Sequence, residues 1–471
     1  MSPPPPLPPI DLSSGFPAPS LNPIPQLNNA TNTVFSRPDI WHNGMIYGPD
    51  AGYEPLRENI AAWLSEFYYR HRDSTVVDSG NAINADRICI TGGASQNLAC
   101  LLQVFTDPVV TRNVFVVEPA YFLSFRVFED AGFHGRLRGV PEDEEGVDLG
   151  FLKEMLEMLE RDGNSTEDQK PFKPPRPYRK LYRHVIYCVP TFSNPSGRIM
   201  SLARRRELVR LARKHDALII ADDVYDFVNW QADPSSNTSA PPDSAFTAIL
   251  PRLVDIDRTL DGGPINSFGN CVSNGSFSKL VGPGCRVGWA EGTPAFAYGL
   301  SQAGSSRSGG APSHLMSTFI NEMLHSPPGV HKPTALTTHI QHTLIPAYSR
   351  RYTILLAAIL NHLVPLGISL PPSNKFNLSG GFFLWLELPD PLRSHDVVKA
   401  AREDGVIVGN GAVSALPEGN DRRAKYEGFI RLCLAWADEE RLEEGMRVLA
   451  GSVRRLLDGT GAGLEQAVAK I

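Results

Sequence analysis

The chemistry of this chain is concentrated in one stretch, Asn274-Gly-Ser-Phe-Ser-Lys-Leu-Val-Gly-Pro-Gly-Cys-Arg-Val-Gly-Trp289. Lys279 is its one lysine and sits among small residues. Hydroxyls at Ser276 and Ser278 precede it, and Arg286 follows seven positions later. No charge partner at helical spacing explains that lysine. An amine that condenses with an aldehyde needs small neighbours for close approach, and a nearby guanidinium suits a phosphate. A solvated surface lysine is the plain alternative.

Further polar residues stand at the ends of apolar runs. Gly93-Ala-Ser-Gln96 follows one such run. There the backbone N–H groups of Ala94 and Ser95, at a helix start, suit a phosphate. Tyr121 lies in Glu118-Pro-Ala-Tyr, where an aromatic could stack on a ring or simply join the core. Asn194 lies in Ser-Asn-Pro-Ser-Gly; Asn-Pro is also a common turn signal. Asp222 and Tyr225 share Asp-Asp-Val-Tyr, and Asp223 reads as a solvated acid at the same turn. Arg431, in Phe-Ile-Arg-Leu, is a charge between apolar strand residues. That placement is costly unless a ligand or an internal acid answers it.

These positions require a scaffold of strands that end together. Arg87–Thr91, Val114–Val117, His184–Val189, Ala217–Ala221, Asn270–Ser276 and Arg286–Glu291 read as strands. The helices expected between them are Gln96–Phe105, Tyr121–Ala131, Leu149–Leu159 and Leu202–Lys214. A helix rich in apolar positions (Ile60, Trp63, Leu64, Phe67) precedes them. Alternating strands and helices predict an α/β domain with a mostly parallel sheet, whose ligands lie beyond the carboxyl ends of the strands. After about residue 330 the texture changes to a smaller α+β domain. It has a long helical stretch over 334–363, strands at Gly380–Glu387 and Phe429–Leu434, and a closing helix Glu439–Leu457. The chain thus divides into a proline-rich arm (1–45), a large domain (46–330) and a small C-terminal domain (331–471). Polar, proline-rich segments at 162–180 and 231–245 read as exposed loops.

The chain has 471 residues, 42% hydrophobic and 20% charged, with net charge -6. That balance is ordinary for a globular protein and points to neither nucleic acid nor an anionic membrane surface. No run is long and apolar enough to be expected to span a membrane. Six scattered cysteines without a C-x-x-C pair read as free thiols of a reducing compartment. The N-terminus lacks the pattern of a signal peptide, so the cytoplasm is expected. The final Ala469-Lys-Ile471 resembles a peroxisomal address, the alternative location. His339 and His342, with His331 before them, show no metal-ligand pattern, and no metal is expected.

In the order in which they occur, these motifs resemble those of pyridoxal-phosphate-dependent aminotransferases of class I/II, fold type I, and within them the aromatic and 2-aminoadipate group. The resemblance runs from Ile10 to about Leu457. It implies that Lys279 is the Schiff-base lysine and carries the proton between substrate and cofactor. It implies that Asp222 faces the pyridine nitrogen, that Tyr225 and Asn194 hydrogen-bond the ring oxygen, and that Tyr121 stacks on the ring. Ala94, Ser95, Ser276 and Arg286 would hold the phosphate. The family often has a serine where Ala94 stands, so one contact is expected to be missing. Arg431 would clamp the substrate α-carboxylate, with Asn194 and Gly15 beside it. Tyr47 in Tyr-Gly-Pro would reach the phosphate of a neighbouring subunit, which implies a homodimer.

The implied reaction is ping-pong transfer of an amino group from an amino acid, aromatic or 2-aminoadipate-like, to a 2-oxo acid such as 2-oxoglutarate. The same residues would serve a C–S β-eliminating lyase or a cyclopropane-carboxylate-synthase-like enzyme, because the scaffold does not fix which bond breaks. A cofactor-sensing regulator would need a DNA-binding segment ahead of residue 10, where mostly prolines stand. No second arginine is clearly placed for an acidic side chain, and Arg307 could serve the substrate or only its own loop. A specialised biosynthetic role and a general metabolic one are equally open.

Overall fold

Alternating side chains explain the central sheet. The computed structural model describes residues 8–69, 83–161, 170–232, 246–326, 333–372, 376–416 and 426–468. The expectations for 1–7, 162–169, 233–245, His331 and the last three residues fall outside them. Eight strands form one sheet: β1 (Ile88–Thr91), β2 (Asn113–Glu118), β3 (Leu137–Asp143), β4 (Gly146–Val147), β5 (His184–Cys188), β6 (Ala217–Asp222), β7 (Cys271–Ser276) and β8 (Gly288–Glu291). Their order is β1-β8-β7-β6-β5-β2-β3-β4. The run from β7 to β3 is parallel, and β8 lies antiparallel between β1 and β7.

Every residue of β2, β5, β6 and β7 is buried. These strands are buried on both sides because helices cover both faces of the sheet, and the polar residues among them sit mainly in β7 and at strand ends. Val114, Val116, Val185, Leu218 and Ile220 pack under helices Ala94–Phe105 and Pro294–Ser301. Phe115, Ile186, Ile219 and Ala221 face helices Leu149–Arg161 and Leu202–Lys214. By the same period of two, Tyr187 and Asp222 lie on the face of Val185 and Ile220.

The smaller sheet has three antiparallel strands, Phe383–Glu387, Gly409–Asn410 and Phe429–Cys433, with the last in the middle. Leu384, Leu386, Ile430 and Leu432 are buried on one face. On the other, Arg431 stands opposite Trp385 in the register. Helices Ile345–His362 and Leu442–Val468 pack together beside this sheet. The arm joins here as well: Ile10–Asp11 pairs in parallel with Val406–Ile407, and Ile10 and Leu12 are buried.

Several expectations differ from the structure. The segment 24–45, expected as part of an arm, folds as two helices, Ile24–Ser36 and Pro38–Met45. Gly380–Glu387 is two strands. Gly381, at φ +63°, turns the chain so that Leu378–Gly380 pairs instead with Asn229–Gln231. The strand expected from Arg286 begins at Gly288, because Arg286 takes a left-handed conformation (φ 51°). The acidic run Glu142–Glu145 ends β3 with Glu142 and Asp143, which pair with β4, and Glu144 and Glu145 make the turn between the two strands.

Candidate active site

A cavity of about 620 Å³ opens at the carboxyl ends of the parallel strands. Its wall includes Lys279, Asp222, Tyr225, Asn194, Tyr121, Ala94, Ser95, Ser276, Arg286, Arg431 and Gly15. Tyr47 does not line it. Tyr47 is 87% exposed, and its ring lies against Gly309.

Lys279 closes a short helical turn, Phe277–Lys279, that leaves the end of β7. Ser276 caps that turn by accepting from the backbone N–H of Ser278 at 3.1 Å. The Lys279 Nζ donates to the Gly15 carbonyl, and the Tyr225 ring centre is 5.6 Å away. Burial pushes the ammonium pKa down to about 8, while Asp222 pulls the other way. At that value a sizeable fraction of the amine is neutral near physiological pH.

Asp222 ends β6 and is 8% exposed. Its Oδ2 accepts from the Tyr187 hydroxyl at 2.8 Å, and its Oδ1 is buried with no partner. Burial lifts its pKa to about 6, against the opposing effects of Tyr187 and Lys279. A carboxylate with one oxygen satisfied and one orphaned suits a cationic ring N–H. Tyr225 packs edge-on against Phe382 and Phe383, in the interior three residues after Asp222.

The phosphate-type end is built from backbone. Gly93, at φ +93°, sends the chain from β1 into helix Ala94–Phe105, whose first N–H groups have no side-chain cap. A Cβ on Gly93 would meet Arg286 Nη2 at 3.0 Å. That guanidinium donates to the Gly92 carbonyl at 2.6 Å and so is held at the helix start. The Ser95 hydroxyl meets the Tyr121 phenol, whose pKa burial raises.

Arg431 faces no acid within ion-pair distance among the described residues. Its Nη1 donates to Asn194 Oδ1 at 3.0 Å and its Nη2 to the Ser13 carbonyl at 2.9 Å, while its buried Nε has no partner. The guanidinium stacks 4.2 Å from the Phe383 ring centre. The internal acid allowed for in the sequence is therefore replaced by two neutral oxygens, which leaves the charge free for an anionic ligand. Arg307 lies outside the cavity, where it is exposed and ion-paired with Asp50. Among the described residues no His, Cys, Asp and Glu cluster could hold a metal ion. His339 is buried, with Nε2 near the Leu21 carbonyl.

Sequence reading missed Tyr187, Asn274 and Arg402. Asn274 lines the cavity, donating to the Ala94 carbonyl at 3.1 Å and accepting from Asn97 at 2.8 Å. A hydroxyl inside an otherwise apolar run was the available signal for Tyr187, whereas Asn274 stands among Ser273, Gly275 and Ser276, which hid it. The residues present fit pyridoxal phosphate: an amine of lowered pKa, an orphaned carboxylate oxygen, and an uncapped helix start beside a guanidinium.

Known proteins resemble the chain along most of its length. The profile of the family described as aminotransferase class I and II matches residues 10–449. An uncharacterised protein of Saccharomyces cerevisiae is 34% identical over 86% of each chain. Aromatic-amino-acid aminotransferase 1 of Thermococcus litoralis is 25% identical, covering 94% of this chain and 88% of that one. Among solved structures, the kynurenine aminotransferase of Pyrococcus horikoshii superposes with a TM-score of 0.71 at 23% identity, covering 96% of this chain and 92% of the other.

Proposed function

The chain belongs to the class I and II aminotransferases, and on that premise we propose that it takes an amino group from an aromatic or 2-aminoadipate-like amino acid and gives it to a 2-oxo acid such as 2-oxoglutarate. It is a transaminase, and its cofactor is pyridoxal 5′-phosphate. One observation carries the reading. A lysine of lowered pKa, a buried carboxylate with an orphaned oxygen and an arginine facing no acid meet in one cavity.

When bound, the cofactor supplies an aldehyde for the amine and a ring that withdraws electrons from the substrate α-carbon. The protein's own groups do the rest. Arg431 would take the α-carboxylate on its paired donors, with Asn194 and the Gly15 segment fixing its orientation. The Lys279 Nζ, titrating near pH 8, is matched to take the α-proton and to return it. Asp222 would hold a proton on the pyridine nitrogen through Oδ1. The Tyr225 hydroxyl and Asn194 would face the ring oxygen, and Tyr121 would cover the ring. The N–H groups of Ala94 and Ser95, with Ser276 and Arg286, would take the phosphate.

The same reading makes the protein a homodimer in which Tyr47 serves the partner's phosphate site. In support, Tyr47 is 87% exposed, and its neighbours Met45 and Ile46 are 63% and 54% exposed. Buried free thiols at Cys89, Cys188 and Cys433 suit a reducing compartment, and on that ground the cytoplasm is proposed.

An absorbance spectrum of the holoenzyme tests the reaction. An amino acid added alone should bleach the visible band to an ultraviolet one, and 2-oxoglutarate should restore it. If the band persists while pyruvate, ammonia or a thiol accumulates, elimination replaces transfer.

A further inference from the structure

Four cations line the cavity: Lys279, Arg286, Arg402 and Arg431. Asp222 is the one acid among its described lining residues. The proposed reaction accounts for three of the four. Lys279 works opposite Asp222, Arg286 takes the phosphate and Arg431 the α-carboxylate. Arg402 has no counterpart.

Arg402 sits on helix Ser394–Glu403. Val397 and Ala401 of that helix turn into the core, while Val398 and Arg402, four residues apart, turn to the cavity. Its guanidinium makes no ion pair or hydrogen bond with any described residue. Of the two acids that follow it, Glu403 is exposed and makes no ion pair with it, and Asp404 is engaged by Arg455 and Ser452. The lining contributed by the segments nearest Arg402 in the chain is mainly apolar, with Val398, Ile407 and Val413 beside the polar Asn410 and Ser414, and the large domain adds Phe122, Leu123 and Val127. Leu123 is 55% and Val413 41% exposed. The cavity therefore has a polar floor, an apolar flank and a lone cation beside that flank.

We propose that Arg402 receives the distal carboxylate of dicarboxylic substrates, with the apolar flank holding the methylene chain between it and the α-carboxylate on Arg431. The proposal rests on the transaminase reading and narrows its substrate class to amino and 2-oxo acids with a terminal carboxylate. Arg suits this task because its planar donors match a carboxylate in pairs and its stem tolerates an apolar wall. A site built for a charged end discriminates against a substrate lacking it more strongly than an apolar pocket discriminates by size.

The test compares two donors of equal chain length, 2-aminoadipate and norleucine, on the holoenzyme of wild type, Arg402→Gln and Arg402→Lys. The ratio of kcat/KM values, 2-aminoadipate over norleucine, should fall at least about tenfold in Arg402→Gln, through KM rather than kcat, and recover in part in Arg402→Lys. In wild type the ratio should also fall several-fold between about 0.05 and 0.5 M salt, since the contact is partly exposed. A ratio that Arg402→Gln leaves within twofold overturns the proposal. Should that variant not fold, a salt-independent wild-type ratio overturns it. A wild type that turns over tyrosine but neither six-carbon donor sinks the Arg402 proposal alone. A holoenzyme whose visible band answers no amino acid sinks the transaminase reading, and this proposal with it.

Discussion

At the residue scale, Asp222 shows how far a site departs from what stability alone would select. Its folded pKa, about 6, lies above the ordinary 3.8 because the carboxylate is buried. A raised folded pKa means that the folded state holds the proton more tightly than the unfolded chain does. The associated stability is full below about pH 4 and is lost as pH rises toward 6. In the cofactor-free protein, Asp222→Asn should therefore be neutral near pH 4 and stabilising by about 2–3 kcal/mol at pH 7. Chemical denaturation at the two pH values reads this; an equal effect at both would refute it. Activity of the loaded enzyme should fall by at least about a hundredfold. Asp222 itself was legible from its motif. Tyr187, which holds its other oxygen, was not, because a tyrosine in a buried strand looks like core until the register places it.

At the scale of elements, the strand–helix alternation and the ends of the parallel strands could be read from periodicity, whereas the cavity positions named from the sequence came from motifs at those ends and from the family resemblance. What could not be read were departures set by single backbone angles. Gly381 breaks one apolar run into strands of two different sheets, and Arg286 delays β8 by taking a left-handed turn. Helices 24–36 and 38–45 were hidden by their prolines, two of which sit in first turns, where proline is tolerated. Gly93 gives the element-level test. Gly93→Ala places a side chain at φ +93° and a Cβ against the Arg286 guanidinium. It should cost about 1–3 kcal/mol of stability and weaken cofactor binding about tenfold or more by displacing Arg286 from Gly92. Cofactor titration of the apo-protein measures the second effect, and unchanged affinity would refute it.

At the scale of the whole molecule, neither sheet alone completes the site. The large sheet presents Lys279 and Asp222, the small one Arg431, and the arm joins them. The sequence pointed to a second subunit only through Tyr47, whose exposure fits a role outside its own cavity. Sedimentation should give twice the chain mass of 51.6 kDa. Co-expressed Lys279→Ala and Tyr47→Ala chains should regain activity that neither shows alone, since one mixed site has both residues; no recovery would place Tyr47 in its own subunit's service. The arm's attachment has a further consequence. The Ser13 and Gly15 carbonyls, two residues apart, bond Arg431 and Lys279. Asp11 braces the turn through Ser13 and Ser14, while Ile10–Asp11 stays laddered to the small sheet. Filling the site would therefore be an exchange: the Gly15 oxygen would be given up as Lys279 takes the cofactor aldehyde, and the Ser13 oxygen as Arg431 takes a carboxylate. Affinity would then read a difference between two sets of bonds, and the tip of the arm, tethered only four residues back, would loosen against the small sheet as the site fills.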